Sequence, residues 1–390
     1  MMSKTTYDVI VYGATGFTGQ LVAEYLAKTY TNKDELNWAI AGRNLDKLEQ
    51  IKSNLNLSAE VECIVADSDD LDSLKSLVQS TKVVLTTVGP YQLYGNDLVA
   101  LCAESGTDYV DLCGEPTWMH DMIGKHQAAA EKSGARIVFS CGFDSIPFDL
   151  GVYFLQQKAQ QDFSQTFSRV KGRVRGMKGT FSGGTKASLQ ATMAAAKKDQ
   201  AVMQVLLNPF SLTPGFTGPE QPLGNKPIYE DEFNSWSAPF IMAAINTRNI
   251  HRSNFLLSHQ YGEDFVYDEM MFTGPGDKGK AIADHVAADK SMASDEGPKP
   301  GEGPSKEERE AGFFDVIFSA QEGDRQLAVS VKGSMDPGYG TTSKMISESA
   351  VCLAKDDLSV KGGIWTTAPA MGDKLIERLV AKAGMTFTVE

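Results

Sequence analysis

Six side chains, grouped in three short loops, could give or take a proton. Tyr91 and Tyr94 form the first pair, Asp111 and Glu115 the second, and Asp144 with Ser145 the third. Each pair follows a short β-branched or aromatic run, which is where a parallel sheet places its ligand-facing loops. A tyrosine or carboxylic acid there suits a reduction in which hydride reaches one atom of a double bond and a proton its neighbour. Each residue also has a plainer reading. The tyrosines pack against a ligand or the core, and Asp111 and Glu115 fix a loop. Asp144 caps the helix that begins near Pro147. The catalytic candidates carried forward are Tyr94, Tyr91 and Asp144.

A second constellation lies near the start of the chain. Val9, Ile10 and Val11 read as a buried strand, and Gly13-Ala14-Thr15-Gly16-Phe17-Thr18-Gly19 follows it. Leu21, Val22, Tyr25 and Leu26 then fall at helical spacing. This strand, glycine turn and helix would cradle a pyrophosphate. Gly13 allows the sharp turn, Gly16 the close backbone approach, and Gly19 the tight helix–strand packing. The next strand, Trp38 to Ala41, ends in Gly42-Arg43, with no acid to bind a ribose 2′-hydroxyl. Arg43 suits a 2′-phosphate, which favours NADP(H) over NAD(H); the alternative is a solvated helix-start residue. Asp67 closes a third strand, either on the adenine side or, with Ser68, as a helix cap. The fourth strand runs into Gly89-Pro90-Tyr91. The candidate cofactor set is Gly13, Ala14, Thr15, Gly16, Phe17, Thr18, Gly19, Arg43, Asp67, Gly89, Pro90 and Tyr91.

These loops need a scaffold, and the alternation of strand and helix through Cys141 supplies one. It predicts a Rossmann-type doubly wound parallel sheet in residues 1–150. Beyond it, strands at Phe167 to Lys178, Asp264 to Phe272, Phe313 to Ala320 and Gln326 to Lys332 predict a second, α+β domain on a mostly antiparallel sheet in residues 151–335. Arg169, Lys171, Arg173 and Arg175 alternate, so one strand face carries four cations. That face is either an anion site or a solvated face that discourages edge pairing. Residues 274–312 are rich in Gly, Pro and charge, which reads as a mobile loop, lid or linker. Residues 336–390 read as C-terminal helices packing back on the first domain.

Composition narrows the classes. The 390 residues carry 37 basic and 50 acidic side chains, for a net charge of −13, which disfavours nucleic acid as a partner. No apolar run is long enough to span a membrane. The five cysteines are scattered and suit reduced thiols in the cytoplasm; no ligand cluster predicts a metal. There is no Tyr-x-x-x-Lys pair, no Gly-x-Ser-x-Gly elbow and no Walker A lysine. Cys113 and Cys141 sit at strand ends and read as buried thiols. Val202 to Leu207 and Phe240 to Ile245 are apolar segments that read as core or as a substrate wall. The second could also touch a membrane surface.

Several loops together resemble one family, the saccharopine dehydrogenase-like oxidoreductases, including the bacterial trans-acting enoyl reductases. They are GATGFTG from Gly13, GPYQLYG from Gly89, YVDLCGE from Tyr109, CGFDSIPFDLG from Cys141, SGGT from Ser182, PGEGPS from Pro300 and DPGYG from Asp336. The resemblance spans nearly the whole chain. It implies a nicotinamide-dependent reductase with a Rossmann domain and an α+β second domain. It leaves open an activated C=C or C=O bond of a lipid-like substrate, an imine or amino-acid substrate, or a non-catalytic nucleotide-binding accessory role. A homodimer is also open.

Overall fold

The computed structural model describes residues 6–180, 183–289 and 302–390. The first sheet is built from β1 (Tyr7–Tyr12), β2 (Trp38–Gly42), β3 (Glu62–Val65), β4 (Thr81–Thr86), β5 (Asp108–Val110) and β6 (Arg136–Val138). They lie in the order β6-β5-β4-β1-β2-β3, all parallel. Val9, Ile10 and Val11 are fully buried, as a strand covered by helices on both faces requires. The strand order reverses between β1 and β4. The carboxyl ends of these strands therefore open a crevice, and the glycine turn and the Gly89 loop both lie beside it.

The second sheet contains β7 (Arg169–Lys178), β8 (Ile228–Glu230), β9 (Ser235–Pro239), β10 (Val266–Gly274), β11 (Phe313–Glu322) and β12 (Arg325–Gly333). Its order is β12-β11-β7-β10-β9-β8, antiparallel except for the β7–β10 pair. The fold is thus the α/β architecture expected, with a parallel sheet and a mostly antiparallel one. Aromatic side chains join them. Phe143 touches Phe148 and Phe314 at centroid distances of 5.4 and 5.1 Å, and Phe148 touches Phe240 and Phe318 at 5.6 and 6.3 Å.

The C-terminal residues add what alternation and helical periodicity did not reveal. β13 (Gly363–Trp365) pairs in parallel with β6, and β14 (Met385–Val389) pairs antiparallel with β12. Among the described residues each sheet therefore has seven strands. Helix Thr342–Lys355 packs on β1, β4 and helix Phe17–Thr29. Its fully buried Glu348 accepts hydrogen bonds from Tyr25 (2.7 Å), Tyr30 (2.8 Å) and Arg378 (3.2 Å).

Two expectations about the second domain change. β7 is a central strand, so its cations do not guard an edge. Acids pair with all of them: Arg173 with Glu230 (2.6 Å) and Asp268 (2.9 Å), Arg169 with Asp268, Lys171 with Glu230 and Glu232, and Arg175 with Asp315 and Glu390. Arg173 is only 1% exposed. Arg169, Lys171 and Arg175 remain partly exposed, as a solvated face would be, but acids of the second sheet and its connections already balance the charge that an anion site would need. The region 274–312 is also less irregular than its composition suggests. Gly276–Ala288 forms a helix against β9 and β10, and Lys306–Glu310 forms a short helix with a Ser305/Glu308 capping box. Residues 290–301 of that region lie outside the described residues.

Candidate active site

The glycine turn owes its shape to two close approaches. Gly13 has φ of +90°, and a Cβ there would lie 2.7 Å from Val88 Cγ2. A Cβ on Gly19 would lie 2.2 Å from the Gly13 carbonyl oxygen. The helix Phe17–Thr29 begins at Gly16 with no side-chain cap and no acid in its first turn. Its first N–H groups and the positive end of its dipole therefore face the crevice, a site for phosphate.

A cavity of about 760 Å³ starts at this turn and runs between the two sheets. Gly13, Thr15, Gly16, Phe17, Thr18, Arg43, Asp67, Gly89 and Tyr91 line it, as do Tyr94 and Asp144. Ala14, Gly19 and Pro90 do not; they shape the backbone behind it. Arg43 is exposed at the end of β2 and forms no ion pair among the described residues. Asn44, not Arg43, caps the following helix by accepting from Lys47 N at 2.9 Å. Asp70, not Asp67 or Ser68, caps helix Leu71–Gln79, which leaves Asp67 on the cavity.

The three catalytic candidates differ sharply. Tyr91 is 5% exposed; its hydroxyl accepts from Leu112 N at 3.0 Å and donates to Thr86 O at 3.4 Å. Burial, then the nearby Asp111 charge, pushes this phenol well up. It is a committed wall residue, with its ring 5.6 Å from Trp118. Tyr94 stands at the mouth, 41% exposed. Asp144 lines the cavity, and its carboxyl has no hydrogen-bond partner among the described residues. Burial alone pushes it up to about 6. It caps nothing: helix Ile146–Phe163 starts at Ser145 without a side-chain cap. Gly114, whose Cβ would lie 3.6 Å from Asp144 Oδ2, brings the β5 and β6 loops together here.

The other acids hold these loops. Glu115 accepts from Tyr91 N (2.8 Å), Gln92 N (2.9 Å) and Ser188 Oγ (2.7 Å), so it ties the Gly89 loop to a second-domain helix, Gly183–Lys198. Asp111 accepts from Cys113 N, Ser140 N and Tyr109 Oη, each at 2.9 Å. Burial pushes it up to about 7. Cys113 and Cys141 are fully buried and their thiols are pushed well up by that burial, so neither is an activated nucleophile.

The second domain contributes an apolar lobe lined by Met177, Leu189, Met193, Leu206, Ile241 and Ile245, with Arg248 beside it. Leu206, Ile241 and Ile245 belong to the apolar segments noted in the sequence. Met177, Leu189, Met193 and Arg248 gave no signal, because helical or strand periodicity does not distinguish a cavity wall from a core. Tyr339 and Glu302 close the other side, with the Tyr339 ring 4.8 Å from Phe17. Among the described residues no group of three or more His, Cys, Asp or Glu could hold a metal ion. No described helix is long and apolar enough to cross a membrane.

A doubly wound sheet with a phosphate-ready glycine turn, opening on a cavity that holds an unpartnered acid, defines a dinucleotide-binding oxidoreductase. Residues 9–138 match the family model described as the saccharopine dehydrogenase NADP binding domain. A Mycobacterium tuberculosis protein whose name assigns it provisionally to the trans-acting enoyl reductases is 38% identical, over 98% of this chain and 97% of its own. A trans-acting enoyl reductase of Mycobacterium ulcerans is 33% identical, over 97% and 96%. The chain belongs to the saccharopine dehydrogenase-like oxidoreductases, in the trans-acting enoyl reductase group. Saccharopine dehydrogenase (L-Glu forming) of Saccharomyces cerevisiae shares the fold with a TM-score of 0.55, at 11% identity, over 98% of this chain and 99% of that one.

Proposed function

We propose that the protein is an NADP(H)-dependent reductase of an activated carbon–carbon double bond in a lipid-like acyl substrate, and that Asp144 donates the proton. The observation that carries this is the unpartnered Asp144 carboxyl, raised to about 6, in one cavity with the glycine turn and an apolar lobe. The Gly13–Gly19 turn and the helix start at Phe17 hold the pyrophosphate, and Arg43 holds the 2′-phosphate. A bound nicotinamide would supply the hydride that the β-carbon of the double bond accepts. Asp144 gives its proton to the α-carbon and is left as a carboxylate, to be reprotonated from solvent. The lobe at Leu189, Met193 and Ile241 offers the chain apolar contacts.

The amino-acid alternative had relied on the β7 cations to bind carboxylates, and acids of the sheet already pair with them. The test is NADPH oxidation with a trans-2-enoyl thioester by wild type and Asp144→Asn. The expected loss in kcat/KM is on the order of 10²-fold or more, with NADPH affinity unchanged by fluorescence titration. Full activity in the variant would overturn the assignment.

A further inference from the structure

Several buried or half-buried cations among the described residues are matched by acids. Arg136 has Asp108, Arg173 has Glu230 and Asp268, and Arg378 has Asp356 and Glu348. Arg252 and Arg248, on helix Ala243–Leu256, have no acid partner among the described residues. Arg252 is 2% exposed and lies off the cavity. It ties Leu212 O to Ile364 O at 2.6 Å each, a structural brace. Arg248 is 8% exposed and lies on the cavity beside the apolar lobe. Its guanidinium donates to Ala244 O and Leu206 O, while Nε is buried without a partner. Arg252 is likewise held by carbonyls alone, its Nε also unpartnered, so what singles out Arg248 is its place on the cavity, where a ligand can offset a buried charge that is otherwise costly. Burial lowers the pKa of Arg248 only to about 10, so it stays cationic at neutral pH.

We propose that Arg248 binds an anionic oxygen group on the substrate, so that the site takes an acyl chain with a charged head rather than a neutral lipid. This rests on the reading of the lobe as the acyl site. The helix that carries Arg248 also reaches the Asp144 loop, since Asn249 Nδ2 donates to Ser145 Oγ at 2.8 Å. The ligand supplies the missing negative charge, and the carbonyl bonds of Arg248 hold the guanidinium in place for it.

The test is calorimetric titration of NADP⁺-saturated wild type, Arg248→Gln and Arg248→Lys with dodecanoate, dodecyl phosphate and dodecanol. Wild type should bind one anion at least tenfold more tightly than the alcohol, and which anion it prefers tells carboxylate from phosphate. Arg248→Gln should lose that preference and keep its alcohol affinity, and Arg248→Lys should restore part of it. Equal binding of all three ligands by wild type overturns the proposal. An equal loss for all three in Arg248→Gln also does so, because it would mark a purely structural arginine. Binding of none overturns it together with the acyl reading of the lobe, a result distinct from equal binding.

Discussion

Replacing Asp144 with Asn should remove activity and add stability in the same variant. The carboxyl is raised from 3.8 to about 6 by burial alone, with no partner to offset it. At about 1.36 kcal/mol for each pH unit, the ionised side chain destabilises the fold by about 3 kcal/mol. The sign follows from which state ionises first. Below about pH 3.8 both states are protonated and the cost is absent. Between about 3.8 and 6 the unfolded chain ionises while the folded one resists, so stability falls. Above about pH 6 the full deficit remains. Asn is isosteric and never ionises. The variant should therefore match wild type near pH 3.5 and exceed it by about 3 kcal/mol at pH 7.5. With about 2.1 cal/mol/K of unfolding entropy per residue, that is a rise in Tm of about 3–4 °C.

The same carboxyl shapes the rate. As a proton donor it works only while protonated, so wild-type kcat/KM should be level below about pH 6 and fall tenfold per pH unit above it. Asp144→Asn should show a flat profile far below. Differential scanning calorimetry at the two pH values and a pH–rate profile test both halves. A variant that melts below wild type at pH 7.5, or a wild-type rate with no break near pH 6, would refute the reasoning that this acid is strained by burial and used for proton transfer.

Other substitutions probe separate parts of the site and its scaffold. Arg43→Ala should weaken NADPH binding about tenfold, or about 1.4 kcal/mol, and leave NADH binding unchanged; fluorescence titration with both nucleotides checks this. Gly19→Ala would set a Cβ 2.2 Å from the Gly13 carbonyl oxygen. It should cost about 1–3 kcal/mol of stability in denaturant unfolding and abolish nucleotide binding, because the turn must move to relieve the contact. Arg173→Met should destabilise the second sheet by about 1–3 kcal/mol, since Glu230 and Asp268 would lose their buried partner and keep only the half-buried Lys171 and Arg169. Urea unfolding measures that loss.

What could be read from the chain alone was what depends on near neighbours in sequence. The glycine turn, the β1 run and the strand-end loops are local patterns, and each names its own geometry. The β7 cations were misread because their counter-charges come from distant segments, Glu230 from β8, Asp268 from β10 and Asp315 from β11. Alternation shows a shared face but not what covers it. β13 and β14 were missed for a related reason. Each is a short strand that gains stability only by pairing with an existing edge more than fifty residues away, β6 for one and β12 for the other. Arg248 combines both difficulties. The sequence around it gives no sign of burial, and only the fold shows it buried on the cavity with no acid beside it among the described residues. The chemistry of phosphate binding is therefore carried by contiguous residues, whereas substrate selection is carried by a surface that exists only once the two sheets have packed.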